Sequence, residues 1–455
     1  MKLLFKNKIN YYKAIKLFIC LNPILITLFL YLSGFIDYNG YFQTGDYVSI
    51  AKVWLNFLNE NHLNYEIPMT RLTLYPLFVS IIFIIFGVDN YIALIFIQAI
   101  LGSLTFYFLI KVLERLNISK NILILLTLIF NLNILYRFTI FLPDCLFIFL
   151  ITIFIYNFTE FYYLKKTKNF YFMCFCLFLL MLTSPILLLS FFFTIPLLIL
   201  ILFKKKIINS LKMKLCIILI FSYISPLSIQ FIRHYNQTQD IAYTTHSGLQ
   251  LIYLVLPCLS KKFGCGTRDM EVYTYLSSKF EDSHDNISHN DVTKDRLAWN
   301  IGIEYFINNM DKSTAAFSAF FSYVKLFIHS SLIEIYPSVN IEIKNFSEIK
   351  GETFIEKIVN LFKKCITEKK YFFYFISIFF IILLRLIQIV GILSVYKNYK
   401  IDYYLLVLVS LIIVILIPAI GIGSPTHRSE LEVILIIFGA IGIERLFKKK
   451  IKCLN

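Results

Sequence analysis

Two aspartates and a small set of arginines stand where they could do chemistry together. Asp46 lies in Thr44-Gly45-Asp46-Tyr47, ahead of a stretch with helical periodicity. Asp144 lies in Leu142-Pro143-Asp144-Cys145, a short turn between two apolar runs. A carboxylate at the edge of an apolar slab can take a proton from an incoming hydroxyl. A second carboxylate nearby can share that acceptor or orient a positive group. Arg71, Arg137, Arg233, His234 and the pair His427-Arg428 also fall at the edges of apolar runs. Guanidinium groups gathered there suit a lipid-linked phosphate, which each can hold through two parallel hydrogen bonds. Every one of these residues also has a plainer use. Asp46 is a good helix cap, Asp144 solvates a loop, and the arginines can snorkel to headgroups or pair with Asp144 or Glu430. Arg385 sits near the middle of a later apolar run and needs a partner or water; its neighbours in sequence assign it no role.

The elements that must hold these groups follow from composition. The chain has 455 residues, 58% of them hydrophobic and 16% charged, with 47 Phe and 30 Tyr against 15 Gly and 11 Pro. Ordinary globular domains carry about 25% charged residues, and a soluble chain of this size could not cover so much apolar surface. Disorder, a secreted disulfide scaffold and a collagenous chain are excluded. An apolar helix of roughly 20 residues crosses a bilayer core. Ten runs qualify: 17–36, 91–110, 121–140, 145–163, 169–184, 186–203, 215–233, 371–396, 403–423 and 430–446. The charge-free stretch 169–203 divides at Thr183-Ser184-Pro185. The run 74–86, bounded by Pro76 and Gly87, is too short to span and reads as interfacial or re-entrant. The basic, then apolar, N-terminus has no small-residue cleavage site and reads as a retained first span.

The net charge of +16 is a topology label in this setting, and no nucleic-acid partner is expected. With the N-terminus inside, twenty-three Lys and Arg fall on inner segments and three (Lys52, Arg71 and Arg428) on the short outer ones. That asymmetry follows the positive-inside rule and places both termini in the cytoplasm. Two outer segments are then long. One, about 37–73, holds an amphipathic stretch from Asp46 to Asn59 with Tyr47, Ile50, Ala51, Trp54, Leu55 and Leu58 at helical spacing, as for a helix lying in the interface. The other, 234–370, should form a small, partly helical outer domain.

The nine cysteines make no metal-ligand spacing. Cys174 and Cys176 read as packing residues, while Cys258 and Cys265 could close a small disulfide if their loop faces an oxidising compartment. His284 and His289, with Asp282 and Asp285, read as an irregular solvated loop in preference to a metal site. No nucleotide cradle is present, so an enzyme here would take an already activated, lipid-linked substrate.

Several stretches together resemble the GT-C glycosyltransferases of the protein mannosyltransferase and aminoarabinose transferase type, which include the rhizobial lipopolysaccharide sugar transferases. They are GDYVSIAKVWL (45–55) with RLTLYPLFVSIIFIIFG (71–87), QAILGSLTFYFLIKVLERL (98–116) with LYRFTIFLPDCLFIFL (135–150), and SPLSIQFIRHYNQTQDIAYTTHSGLQLIYLVLP (225–257). The tail THRSELEVILIIFGAIGIERL (426–446) is similar to that group's Arg-containing last span, without its common prolines. The likeness covers most of residues 1–257 and the tail.

The apolar runs and the charge asymmetry lead to the expectation of an all-α integral membrane fold of about ten transmembrane helices, with an amphipathic first outer loop and a small, mainly helical outer domain. The resemblance likewise implies a membrane-embedded helical module with an outer domain. Residues 1–233 would form the transmembrane module, 234–370 the periplasmic domain and 371–455 the last helices. It implies an inverting transfer of a sugar from polyprenyl phosphate to a glycolipid or protein acceptor, at the periplasmic face of a bacterial inner membrane. By the same resemblance Asp46 matches the first-loop catalytic acid and Asp144 the acid of the second outer turn. Arg71 and Arg428 fall where the group has positive charge near the lipid phosphate, and Arg137, Arg233 and His234 extend that set. No cofactor or metal is expected. Two other readings stay open: a polyprenyl-lipid flippase or secondary transporter, and an O-antigen ligase or polymerase.

Overall fold

In the computed structural model the described residues are 2–32, 45–60, 72–118, 131–204, 209–243, 247–260, 269–284, 291–328, 369–396, 403–417 and 425–452, with single residues between 356 and 368. Their regular structure is helical, with no strand among them. Sixteen helices follow in order: α1 (Lys2–Leu32), α2 (Gly45–Glu60), α3 (Leu74–Phe86), α4 (Tyr91–Arg115), α5 (Leu132–Arg137), α6 (Asp144–Leu164), α7 (Thr167–Thr183), α8 (Ser190–Lys204), α9 (Asn209–Thr238), α10 (Ser247–Leu259), α11 (Met270–His284), α12 (Asp291–Asn308), α13 (Lys312–Ile328), α14 (Lys369–Tyr396), α15 (Tyr403–Leu416) and α16 (Pro425–Lys452). Five segments are long and apolar enough to cross a membrane: Tyr12–Leu32, Tyr91–Arg115, Asp144–Leu164, Pro185–Lys204 and Leu211–Thr238. Shorter apolar helices include Leu74–Phe86, Thr167–Thr183, Ile378–Leu393 and Tyr403–Leu416.

The local chemistry explains the breaks. α3 stops at Gly87, whose φ of 98° suits glycine. α4 starts on Asn90, whose side chain accepts from the Ala93 amide at 3.1 Å. Ser184 is extended (φ −144°, ψ 132°), as a residue before proline prefers, so α7 ends where the Thr183-Ser184-Pro185 break was expected.

One large core holds α1–α9 together with α15 and α16. Its centre is α16, in which every residue from Glu430 to Ala440 is buried. α14 lies along α16 with almost no gap. A Cβ built on Gly391 would stand 1.9 Å from the Phe438 carbonyl oxygen, and one on Gly442 would stand 2.6 Å from that of Ile387. Two glycines facing one another let these backbones touch, the small-residue contact of membrane helices. Gly391→Ala should therefore force α14 off α16 and cost about 1–3 kcal/mol. A lowered thermal unfolding midpoint in detergent would report it; an unchanged midpoint would deny the close packing.

The apolar face of α2 is covered by protein. Ile50, Ala51 and Leu55 are buried, and Ser80 of α3 donates to the Ala51 carbonyl at 2.7 Å. The interfacial stripe expected from periodicity thus packs on α3, whose apolar length is available to receive it. Lys52 adds a tie to Asp89 in the α3–α4 turn at 2.8 Å. Hydrogen bonds from Lys52 and Tyr91 hold the Asp89 carboxyl below its usual range. That tie contributes above the ordinary carboxylate pKa and is lost as pH falls through the lowered one.

A second, separate core joins α10 to α13 through Ile252, Leu256, Leu276, Phe280, Ala298, Ile301 and Met310. α11 runs on through Asp282 to His284, which corrects the irregular loop expected there: Leu276 and Phe280, one turn apart, draw the chain into a helix against this core. His289 and Asp285 lie outside the described residues.

Candidate functional site

Polar side chains collect in two layers of the apolar bundle. One layer is made at the basic ends of α4 and α6, joined by Lys16 midway along α1. Lys16 and Lys111 hold Glu114 at 2.8 and 3.0 Å, and Arg115 holds Glu160 at 2.7 Å. The other lies sixteen residues back along α4 and α6, at Gln98 and Asp144, about 24 Å away at the helical rise. That spacing fits within a hydrocarbon slab of about 30 Å.

The Gln98–Asp144 layer is knotted by one buried amide. Gln98, wholly inaccessible, donates through Nε2 toward the Tyr75 hydroxyl at 3.2 Å, the Ile140 carbonyl at 3.2 Å and the Cys145 sulfur at 2.8 Å. It therefore locks α3, the α5–α6 turn and the start of α6 to α4. Tyr75 in turn meets Tyr47 edge-on, with ring centroids 5.5 Å apart. This contact carries the first turn of α2 into the layer. α2 begins at Gly45, so Asp46 lies within its first turn, inside the helix and not at the cap position expected of it.

Asp144 opens α6, where the helix dipole favours a carboxylate. It is 8% exposed, and its Oδ2 is 3.6 Å from Nη1 of Arg137, which is 2% exposed. Of the uses open to Arg137, the structure shows pairing with Asp144. Gln230 of α9 donates to the Thr73 hydroxyl at the head of α3 and accepts from Arg233 at 3.4 Å, which brings Arg233 to the segment that follows Arg71. His234 is buried, with Nδ1 on the Ala242 carbonyl. Arg71 lies outside the described residues. Arg428 falls in the first turn of α16, one turn before Glu432.

Beneath this layer lies a buried ion pair. Arg385 of α14 binds both Glu432 oxygens, one through Nη1 at 3.2 Å and the other through Nη2. Its Nη1 also reaches Gln388 at 2.5 Å, and its Nε reaches the Phe327 carbonyl at the end of α13 at 3.0 Å. Asn131, whose Oδ1 caps α5 through the Ile134 amide at 3.2 Å, also approaches Glu432 at 3.5 Å. α5 thus runs from the floor of the site at Asn131 to Arg137 beside Asp144. The partner that Arg385 required is Glu432.

Gln98, Gln230 and Glu432 were not singled out in sequence. Their signal was present: Gln98 and Gln230 are each the lone amide of an apolar run and Glu432 opens another beside Glu430, positions where an unsatisfied polar group is costly. Among the described residues no cluster of His, Cys, Asp and Glu is arranged to hold a metal ion. Cys258, fully buried in α10, is disulfide-bonded, and Cys265 lies outside the described residues. Cys174 and Cys176 are free and buried in α7. The chain matches no protein family, no curated protein and no solved structure.

Proposed function

We propose that this chain is an integral-membrane, inverting glycosyltransferase that moves a sugar from polyprenyl phosphate to a glycolipid or protein acceptor. The observation that carries the reading is the convergence of the α2 start, Tyr75, Gln98 and the Arg137–Asp144 pair in one layer, opposite the basic ends of α4 and α6. In this reading those basic ends are cytoplasmic, ten helices cross the bacterial inner membrane, and α10–α13 belong to a periplasmic domain. The disulfide at Cys258 supports that side for α10, since such bonds persist in oxidising compartments.

The acceptor oxygen attacks the anomeric carbon as the bond from that carbon to the phosphate oxygen breaks. The phosphate leaves with the bonding electrons, and the hydroxyl proton passes to Asp46. Arg71 and Arg428 meet the charge that develops on the phosphate, together with Arg233. Asp144 orients Arg137 toward the same layer.

Envelope glycolipids and glycoproteins of a deletion strain, read by mass spectrometry, should lack one sugar that the wild-type gene restores. An unchanged glycan profile would overturn the reading. The buried Arg385–Glu432 pair favours a second one, movement of a polyprenyl lipid, because charged pairs inside a bundle often mark transport paths. Purified protein that carried a labelled polyprenyl lipid across vesicles, and formed no glycosyl product, would select it.

A further inference from the structure

α12 is apolar on two opposite sides. Ala298, Ile301 and Tyr305 pack into the second core. On the other side Trp299, Ile303, Phe306 and Ile307 are 39%, 45%, 40% and 58% exposed. At the helical repeat these four fall within about 100° of arc. A helix that buries one stripe normally turns charge outward; this one turns out a second apolar stripe as wide as the first.

The surroundings of α12 identify what covers that stripe. Arg296 lies in the same sector, and its Nη2 is 3.7 Å from Asp240, just past the end of α9. α9 contains one of the five long apolar segments. Trp299 donates to the Ser247 hydroxyl at 2.9 Å, which clamps α10 and α12 together beside that exit. Downstream, α13 ends on the bundle. Tyr323 donates to the Leu416 carbonyl at the end of α15 at 3.1 Å, and the Phe327 carbonyl accepts from Arg385. The start of α12 is therefore tied to the end of α9, and α13, which follows it, to the end of α15 and to Arg385 inside the bundle.

We propose that the face formed by Trp299, Ile303, Phe306 and Ile307 docks on the lipid surface of the membrane that holds the bundle. The stripe seats at the boundary of headgroups and acyl chains, with Arg296 at headgroup level. Trp and Phe favour that boundary, and a basic flank favours anionic lipid. This surface is independent of the sugar-transfer reading.

The chain has two tryptophans, so Trp54→Phe leaves Trp299 as the sole indole. The full-length variant is reconstituted into phosphatidylcholine vesicles, with or without bromine near the headgroup end of the acyl chains. Interfacial docking predicts that Trp299 emission falls at least about two-fold in the brominated vesicles. It also predicts a smaller loss when the bromine lies near the chain terminus. Emission unchanged by brominated lipid overturns the proposal, whether aqueous iodide quenches it (a water-facing stripe) or fails to (a stripe covered by protein, such as a second copy). If Trp54→Phe does not fold, the difference between wild type and Trp299→Phe yields the same quantity.

Discussion

Asp46→Asn is expected to lower sugar transfer by about 10²–10⁴-fold while leaving the fold intact. That loss corresponds to about 3–5 kcal/mol of transition-state stabilisation. In the proposed reaction the phosphate is already a good leaving group, so what remains to be supplied is a base for the acceptor, positive charge for the phosphate, and exclusion of water. Asp46 lies in the first turn of a helix whose next residue, Tyr47, is held against Tyr75. Tyr75 is bound to Gln98, and Gln98 to the residue after Asp144. The backbone that carries the carboxylate is thus fixed by three other elements, and the amide variant changes charge with almost no change in volume. The readout is the missing sugar in a deletion strain complemented with the variant, checked for equal protein in the membrane. Transfer near the wild-type rate would remove Asp46 from the role of base. Asp144→Asn should act differently. It leaves Arg137, 2% exposed, beside a neutral group, so both protein yield and transfer should fall.

Much of this architecture is legible in the sequence because the bilayer criterion is a one-dimensional one. A run of apolar residues of sufficient length, a Pro after Ser184 and a Gly at position 87 are each local facts, and the helices α4, α6 and α7 start or stop close to where those facts predict, while α9 (Asn209–Thr238) runs past the expected 215–233 at both ends. The short α3 is legible for the same reason. What sequence could not show is which polar residues meet. Arg385 and Glu432 are bound to each other although no local pattern joins them. Their meeting depends on the contact of Gly391 with Gly442, which sets α14 against α16. Gln98 was hidden likewise: its three acceptors come from α3, the α5–α6 turn and α6. The stripe of α2 was readable as apolar, but its cover was not, since periodicity reports that a face is buried and is silent on whether lipid or α3 buries it.

Glu432→Leu is expected to cost about 3–5 kcal/mol of stability, the loss seen when one partner of a buried ion pair is removed. Glu432 is fully buried and Arg385 is 7% exposed, so the guanidinium would lose both carboxylate contacts with no route to water. Gln388 and the Phe327 carbonyl would remain, and neither carries the opposite charge. Arg385 has no practical way to discharge itself, because a guanidinium stays protonated. Replacing both partners, as Arg385→Met with Glu432→Leu, removes charge and counter-charge together and should recover most of the loss. The thermal unfolding midpoint in detergent tests this through a double-mutant cycle. A double variant less stable than either single one would show that the two side chains contribute independently, and the pair would lose its standing as a unit. The cycle also separates strength from function. Glu432 stands one turn after Arg428 on α16 and within reach of Asn131, which starts the helix that ends at Arg137. A double variant that regains stability but not sugar transfer would mean that the pair sets the height of α5 and α16 beneath the site. Recovery of both would mean that the apolar substitutes hold those helices equally well, leaving the pair a purely structural contact.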